Sequence, residues 1–237
     1  MAVFRPLFFN SNHENASLMR VIAKFFSFVF HPLILMTYLL VLLLVVNPYV
    51  FGVNNIRAQT LLILLTFIST FLLPLISISM MKGLGMIASF KMEDPTDRIG
   101  PFIVTGIFYM WMYINFKNNA QIPPILTSLL LGATIGLFMA FFINIFVKIS
   151  IHTVGMGGMV AAVALLMKAF DFETFSIHLS PLGNIEMSLN ALLMITVLLA
   201  GIVGTSRLIL QAHRPPEVYM GYAVGILSQM IAYNITF

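Results

Sequence analysis

The sequence predicts an all-α, polytopic transmembrane helix bundle of about 7 spans (6–7), and three observations carry that prediction. Hydrophobic residues make up 60% of the 237 positions and charged residues only 8%, where a soluble domain carries about 25% charge. Charge that sparse cannot clothe a water-facing surface, so lipid must solvate most of the chain. The apolar residues fall in runs of about 20, the length that crosses about 30 Å of hydrocarbon at about 1.5 Å per residue. These runs show no alternation of period two, which a membrane β-barrel requires.

The runs occupy 22–47, 58–81, 101–116, 124–147, 153–170, 187–209 and 218–236. Residues 1–21 read as a polar N-terminal tail and 22–237 as one bundle without a linker. No small-residue cleavage site follows the first run, so it reads as an uncleaved span rather than a signal peptide. The 22 Phe and 17 Met make a bulky apolar surface suited to acyl chains. Cysteine is absent, which excludes a disulfide frame and a thiolate metal site. A net charge of +4 is too small for a nucleic-acid signal. The basic residues are expected to meet the phosphates of membrane lipids.

Small residues four apart, Gly132 with Gly136 and Gly221 with Gly225, let helix backbones approach closely in lipid. Gly155, Gly157 and Gly158 crowd the start of the fifth run, and their spacing does not fit a Walker loop.

Numbering the spans sorts the polar residues onto two faces. The N-terminal face takes the loops 82–100, 148–152 and 210–217; the other takes 48–57, 117–123, 171–186 and the C-terminus. The first holds nine basic residues: Arg5, Arg20, Lys24, Lys82, Lys91, Arg98, Lys148, Arg207 and Arg214. The second holds three: Arg57, Lys117 and Lys168. His152, His213, Glu93, Asp94, Asp97 and Glu217 also lie on the first face. The positive-inside rule places that face in the cytoplasm. Lys24, Lys148 and Arg214 read as boundary anchors that snorkel, and His31, before Pro32 inside the first run, as a packed residue.

Three segments of that face carry chemistry: Lys91 to Arg98, Lys148 to His152, and Ser206 to Glu217. Two spans separate each from the next, so all three return to one boundary. Arg98 and Arg207 offer forked cations, Lys91 a point charge and Ser150 a hydroxyl, a set that suits the oxygens of a phosphoryl group. One histidine can attack phosphorus and the other can protonate the leaving oxygen. Glu217, four residues after His213, can hold that imidazole in the tautomer with a nucleophilic nitrogen. Pro215 and Pro216 are expected to break any helix there and turn His213 back into the site. No His or carboxylate spacing resembles a metal site.

In order and spacing these segments resemble the three signature motifs of the phosphatidic-acid phosphatase type 2 superfamily. Lys91 and Arg98 match the first motif, Ser150 and His152 the second, and Ser206, Arg207 and His213 the third, with Glu217 in the Asp place. Ile99 stands where the superfamily has Pro, and Ile149 and Ile151 where it has Pro and Gly. The matched stretch is 91–217, within a phosphatase-like core of 82–237. The resemblance implies a membrane lipid phosphatase without a metal or other cofactor, in a bacterial inner membrane. It assigns His213 as the nucleophile that forms a phosphohistidine, with Glu217 orienting it and His152 as general acid. Lys91, Arg98, Ser150 and Arg207 would bind the substrate phosphate. The implied partner is a lipid phosphate substrate: undecaprenyl pyrophosphate, phosphatidylglycerol phosphate, phosphatidic acid or a lipid A phosphate. Many members work on the outer face, against the charge rule. Two other classes stand beside it. A headgroup transporter or flippase would use the same basic pocket without chemistry. A magnesium-dependent membrane prenyltransferase would use Asp94 and Asp97 as half of an aspartate-rich pair.

Overall fold

Apolar runs that enter lipid must satisfy every backbone group internally, which selects helices. A computed structural model describes residues 11–90, 92, 94, 96–179 and 183–237, apart from the side chains of 11–16, 178 and 179. The chain folds as α1 Ser11–Val29, α2 Pro32–Val46, α3 Thr60–Phe67, α4 Leu73–Gly83, α5 Ile99–Lys117, α6 Pro124–Phe146, α7 Ile151–Ala169, the strands β1 Thr174–Leu179 and β2 Gly183–Ser188, α8 Leu189–Ile209 and α9 Pro215–Thr236. Helix α1 begins inside the stretch that reads as a polar tail.

Five helical stretches are long and apolar enough to cross a membrane: Ile56–Gly83, Thr96–Lys117, Pro124–Phe146, Ile151–Ala169 and Leu189–Ile209. The first run supplies a sixth if its two halves, bent by 63°, count as one. That run is expected to be one helix, and the structure breaks it at Phe30 and His31. The cause is Pro32, which disfavours helical backbone at the residue before it; His31 sits extended at φ −64°, ψ 133°. Helix α9 is not among the five. It carries Glu217, Ser228, Gln229 and Asn234, and it buries Ser228 and Gln229 against the bundle.

Two further details depart from the sequence reading. The second run contains a π turn, Ile68–Leu72, directly before α4. Pro74 cannot donate into a regular ladder, and the wider turn accommodates it. The segment 171–186, expected to be a loop, holds most of an antiparallel hairpin paired from Thr174↔Ser188 to Leu179↔Gly183. Phe175 anchors that hairpin against Val46, Val163, Leu189 and Leu192.

Outward faces are apolar: Phe28 is 82% exposed and Phe146 85%. The main core lies between α2, α5, α6 and α7, where Leu40, Leu43, Leu126, Leu130 and Leu166 are fully buried.

Helices α6, α7 and α9 pack most closely, and glycine permits it. A Cβ on Gly221 would strike the Thr153 hydroxyl, and one on Gly225 would strike the Val154 carbonyl and approach the Gly158 amide at 2.6 Å. A Cβ on Gly157 would lie 2.5 Å from the Tyr222 carbonyl. Residue numbers rise together along α7 and α9, so the two helices run parallel and begin at the same end of the bundle. On the other side, Gly132 and Gly136 of α6 face Gln229 and Ser228.

This packing generates a stability test. Gly225→Ala must push α7 and α9 apart, and overpacking of this kind costs about 1–3 kcal/mol. Gly201 of α8 has nothing within 4 Å of its Cβ position, so Gly201→Ala should be neutral or slightly stabilising through helix propensity. Thermal unfolding in detergent should show a lower midpoint for the first variant only.

Candidate phosphate-binding site

One end of the bundle collects most of the chain's buried charge. It is built from the N-termini of α5, α7 and α9 and the C-termini of α6 and α8. Three helix N-termini bring partial positive charge to the same place, which favours an anion there.

Arg98 occupies the N-cap position of α5, where its side chain does not cap, and is only 6% exposed. Its Nε donates to the Met92 carbonyl at 2.8 Å, and its Nη1 donates to Asn144 Oδ1 at 3.4 Å and to the Ile149 carbonyl at 3.3 Å. Arg98 thereby ties Met92 to the end of α6 and the loop before α7. The nearby acids serve the loop: Asp97 accepts from the Ala88 amide, and Asp94 accepts from the Thr96 amide and hydroxyl.

Ser150 occupies the N-cap of α7, a position where a serine hydroxyl usually caps the helix. Here the hydroxyl does not cap; it is buried and, among the described residues, has no hydrogen-bond partner. The Ser150 amide donates to the Glu217 carbonyl at 3.3 Å, which locks the start of α7 to the start of α9. Arg207, in the last turn of α8, is the second orphan: its Nε is buried and has no partner among the described residues. It lies within electrostatic reach of Arg98, His31, His152 and His213. A buried donor without a partner costs about 1–3 kcal/mol.

His213 lies in the turn between α8 and α9, and its Nδ1 is 2.7 Å from Glu217 Oε2. Their side chains are 4% and 14% exposed. An ionised carboxylate only accepts, so Nδ1 carries the proton and Nε2 keeps its lone pair. The prolines expected to break a helix here instead start one. Pro215 and Pro216 fill the first positions of α9, where a missing amide costs nothing, and Glu217 follows in the first turn, where the helix dipole favours an acid. Burial pushes the His213 pKa down to about 4, assisted by Arg207 and Arg98 and opposed by the bond to Glu217. Desolvation and the two cations outweigh the carboxylate, so the ring is neutral at pH 7.

His152 sits in the first turn of α7, which starts two residues before the run 153–170. Its Nε2 lies 3.1 Å from the Ser27 carbonyl. Its ring stands edge-to-face with His31, with centroids 5.5 Å apart.

Six of the seven sequence-predicted site residues therefore gather at one end: Arg98, Ser150, His152, Arg207, His213 and Glu217. Lys91 lies outside the described residues. Ser206 bonds to the Ile202 carbonyl at 2.7 Å and is a helix-packing residue here. Ile149 is fully buried behind the α7 N-cap. Three participants escape the sequence reading. Lys148, read as an anchor, lines a cleft of about 520 Å³ together with Gln211, His213, Arg214 and Glu217; its place two residues before Ser150 is the signal. Asn144, near the C-terminus of α6, is visible in sequence only as a polar residue in an apolar run. His31 reaches the site because the first span bends. Among the described residues, no group of three or more His, Asp or Glu side chains is placed to hold a metal ion.

No family model, no curated protein and no solved structure matches this chain.

The His213 environment generates a pH prediction. The unfolded ring titrates near 6.5 and the folded one near 4, so the unfolded chain binds more protons between those values. The contribution of a neutral, buried His213 to stability is complete above about pH 6.5 and is lost as pH falls through about 4. Unfolding midpoints in detergent should fall across that window, and His213→Gln should flatten the slope.

Proposed function

We propose that this chain is a membrane-integrated lipid phosphatase that releases phosphate from a lipid phosphate or pyrophosphate through a phosphohistidine. On this reading the bent first span and α9 both cross the bilayer, giving seven crossings, and the site lies at one membrane boundary. The observation that carries the reading is the pair of orphaned buried donors, Ser150 Oγ and Arg207 Nε, beside a histidine whose Nδ1 is held by a carboxylate. A tetrahedral oxyanion is the ligand that would satisfy both donors. The order of the Lys91–Arg98, Ser150–His152 and Ser206–Glu217 segments, which resembles the superfamily motifs, supports the same reading.

The charges favour a multiply charged anion. Among the described residues, Glu217 is the carboxylate that acts on Arg98, Arg207 lies within reach of Arg98, and Lys148 adds a further cation at the cleft. A phosphate group carries the charge that such a surplus attracts. Arg207 and Ser150 hold its oxygens. Arg98 supplies charge while its Nε and Nη1 fasten the surrounding turns, and Lys91 completes the set by resemblance.

The chemistry then runs on two histidines. His213 Nε2 attacks phosphorus, the bond from phosphorus to the leaving oxygen breaks, and that oxygen takes a proton from His152, which enters the step as an imidazolium after taking that proton from solvent or from the substrate phosphate. Glu217 steadies the positive charge that develops on the His213 ring. In the second step His152 removes a proton from water, the resulting oxygen attacks the phosphohistidine, and His213 leaves. The neutral state of His213 at pH 7 suits a nucleophile.

Release of phosphate from the four candidate lipids, in detergent with and without a chelator, tests the class. Metal-independent release is expected. Chelator-sensitive diphosphate release would favour a prenyltransferase, and no release from any lipid would favour a headgroup transporter. Arg207→Ala should cost about 10²–10³ in rate, the usual loss on removing one preorganised electrostatic partner. Arg207→Lys should also be poor, since a point charge is not a fork. His213→Ala should abolish turnover, and rapid quenching of the wild type should trap acid-labile phosphate on the protein.

A further inference from the structure

The break in the first span does more than bend a helix. In an unbroken α-helix the carbonyl of Ser27 would accept from the amide four residues on, that of His31. Here the His31 amide turns to the Phe28 carbonyl at 3.2 Å. Pro32, the next residue, has no amide to offer. The Ser27 carbonyl is thus left without a helical donor, and His152 Nε2 lies 3.1 Å from it.

That contact decides a tautomer. A carbonyl oxygen only accepts, so Nε2 of His152 must carry a proton. A neutral ring then has its lone pair on Nδ1. This is the reverse of His213, whose proton is held on Nδ1 by Glu217. The two histidines of the site are oriented by different acceptors, one a carboxylate and the other a backbone carbonyl set free by a helix break.

His31 completes the arrangement. It caps α2, with Nδ1 accepting from the Leu33 amide at 3.4 Å, and the cap fixes where its ring stands. That ring meets the His152 ring edge-to-face, with planes 82° apart. Packing of this kind restricts rotation of the His152 side chain.

We infer that the break at Phe30–His31–Pro32 is a positioning element for His152: it exposes the Ser27 carbonyl that holds the proton on Nε2 and seats the His31 ring against the His152 ring. The consequence for turnover rests on the phosphatase reading; the tautomer does not. With Nε2 committed to Ser27, Nδ1 of His152 is the nitrogen that must gain a proton before it can protonate the leaving oxygen, and that takes a proton from water in the second step.

The test is nitrogen NMR of full-length protein labelled with ¹⁵N-histidine, in lipid nanodiscs near pH 7, with His152 assigned by its loss in His152→Gln. The expected wild-type signal is a neutral ring protonated on Nε2. A neutral ring protonated on Nδ1 would overturn the inference whatever the activity, because it leaves no Nε2 proton for the Ser27 carbonyl. Pro32→Ala removes the constraint on residue 31 and lets its amide compete for the Ser27 carbonyl. In that variant the His152 signal should move toward a mixture of tautomers. A folded Pro32→Ala protein with an unchanged signal would show that the break does not set the tautomer. His31→Asn retains a side chain able to cap α2 but removes the ring. It should unfold at the wild-type temperature and lower kcat several-fold with little change in KM; unchanged kcat would remove His31 from the arrangement. If the wild type releases no phosphate from any lipid, the phosphatase reading fails, and the tautomer signals still decide the inference.

Discussion

The site depends on a contact that involves none of its charged or hydroxyl side chains, the close parallel packing of α7 on α9. Gly157, Gly221 and Gly225 let the two backbones meet where any Cβ would strike Tyr222, Thr153 or Val154. In lipid, where apolar side chains gain little by leaving one apolar medium for another, such backbone proximity is a principal source of helix association. Because the helices run parallel, it also sets their beginnings side by side. The amide of Ser150 can then reach the carbonyl of Glu217, and His152 and His213 arrive at the same end of the bundle.

That end carries an electrostatic cost that the rest of the fold must offset. Two guanidinium groups lie within electrostatic reach of each other, both desolvated by burial, and Glu217 acts on Arg98. Arg98 is compensated by two backbone carbonyls and Asn144. Arg207 Nε and Ser150 Oγ have no partner among the described residues. Packing elsewhere must hold them in place, and the long apolar contacts of α6, α7 and α9 can do so. The same features depress the His213 pKa: a cationic, desolvated environment keeps the ring neutral and favours an incoming anion.

The two histidines show how one residue type is given two states by its surroundings. His213 sits beside a carboxylate four residues away, a relation that a local sequence window displays. His152 takes its orientation from Ser27, 125 residues earlier, across a helix break that no motif records. A mechanism drawn from motifs alone contains both rings and only one of their orienting groups.

The class of the fold was legible because hydrocarbon thickness sets a length that any apolar run either meets or does not. The shared boundary of Arg98, Ser150, His152, Arg207, His213 and Glu217 was legible too, because an even number of crossings returns the chain to one face. Details that rest on single residues inside those runs were harder to see. Hydropathy is continuous across His31 and Pro32 although the helix is not, and Pro74 and the short alternation of Thr174 to Leu179 left equally faint signals. Pro215 and Pro216 read as breakers until their position at the start of α9 made them initiators. The sequence by itself determined how many apolar segments exist and which polar residues share an end, since both follow from counting. Only the tertiary structure decided which donors are buried without partners, which acceptor each histidine faces and how far Arg98 is already committed. Those properties belong to contacts between distant segments, and contacts depend on how closely the glycine-lined helices approach.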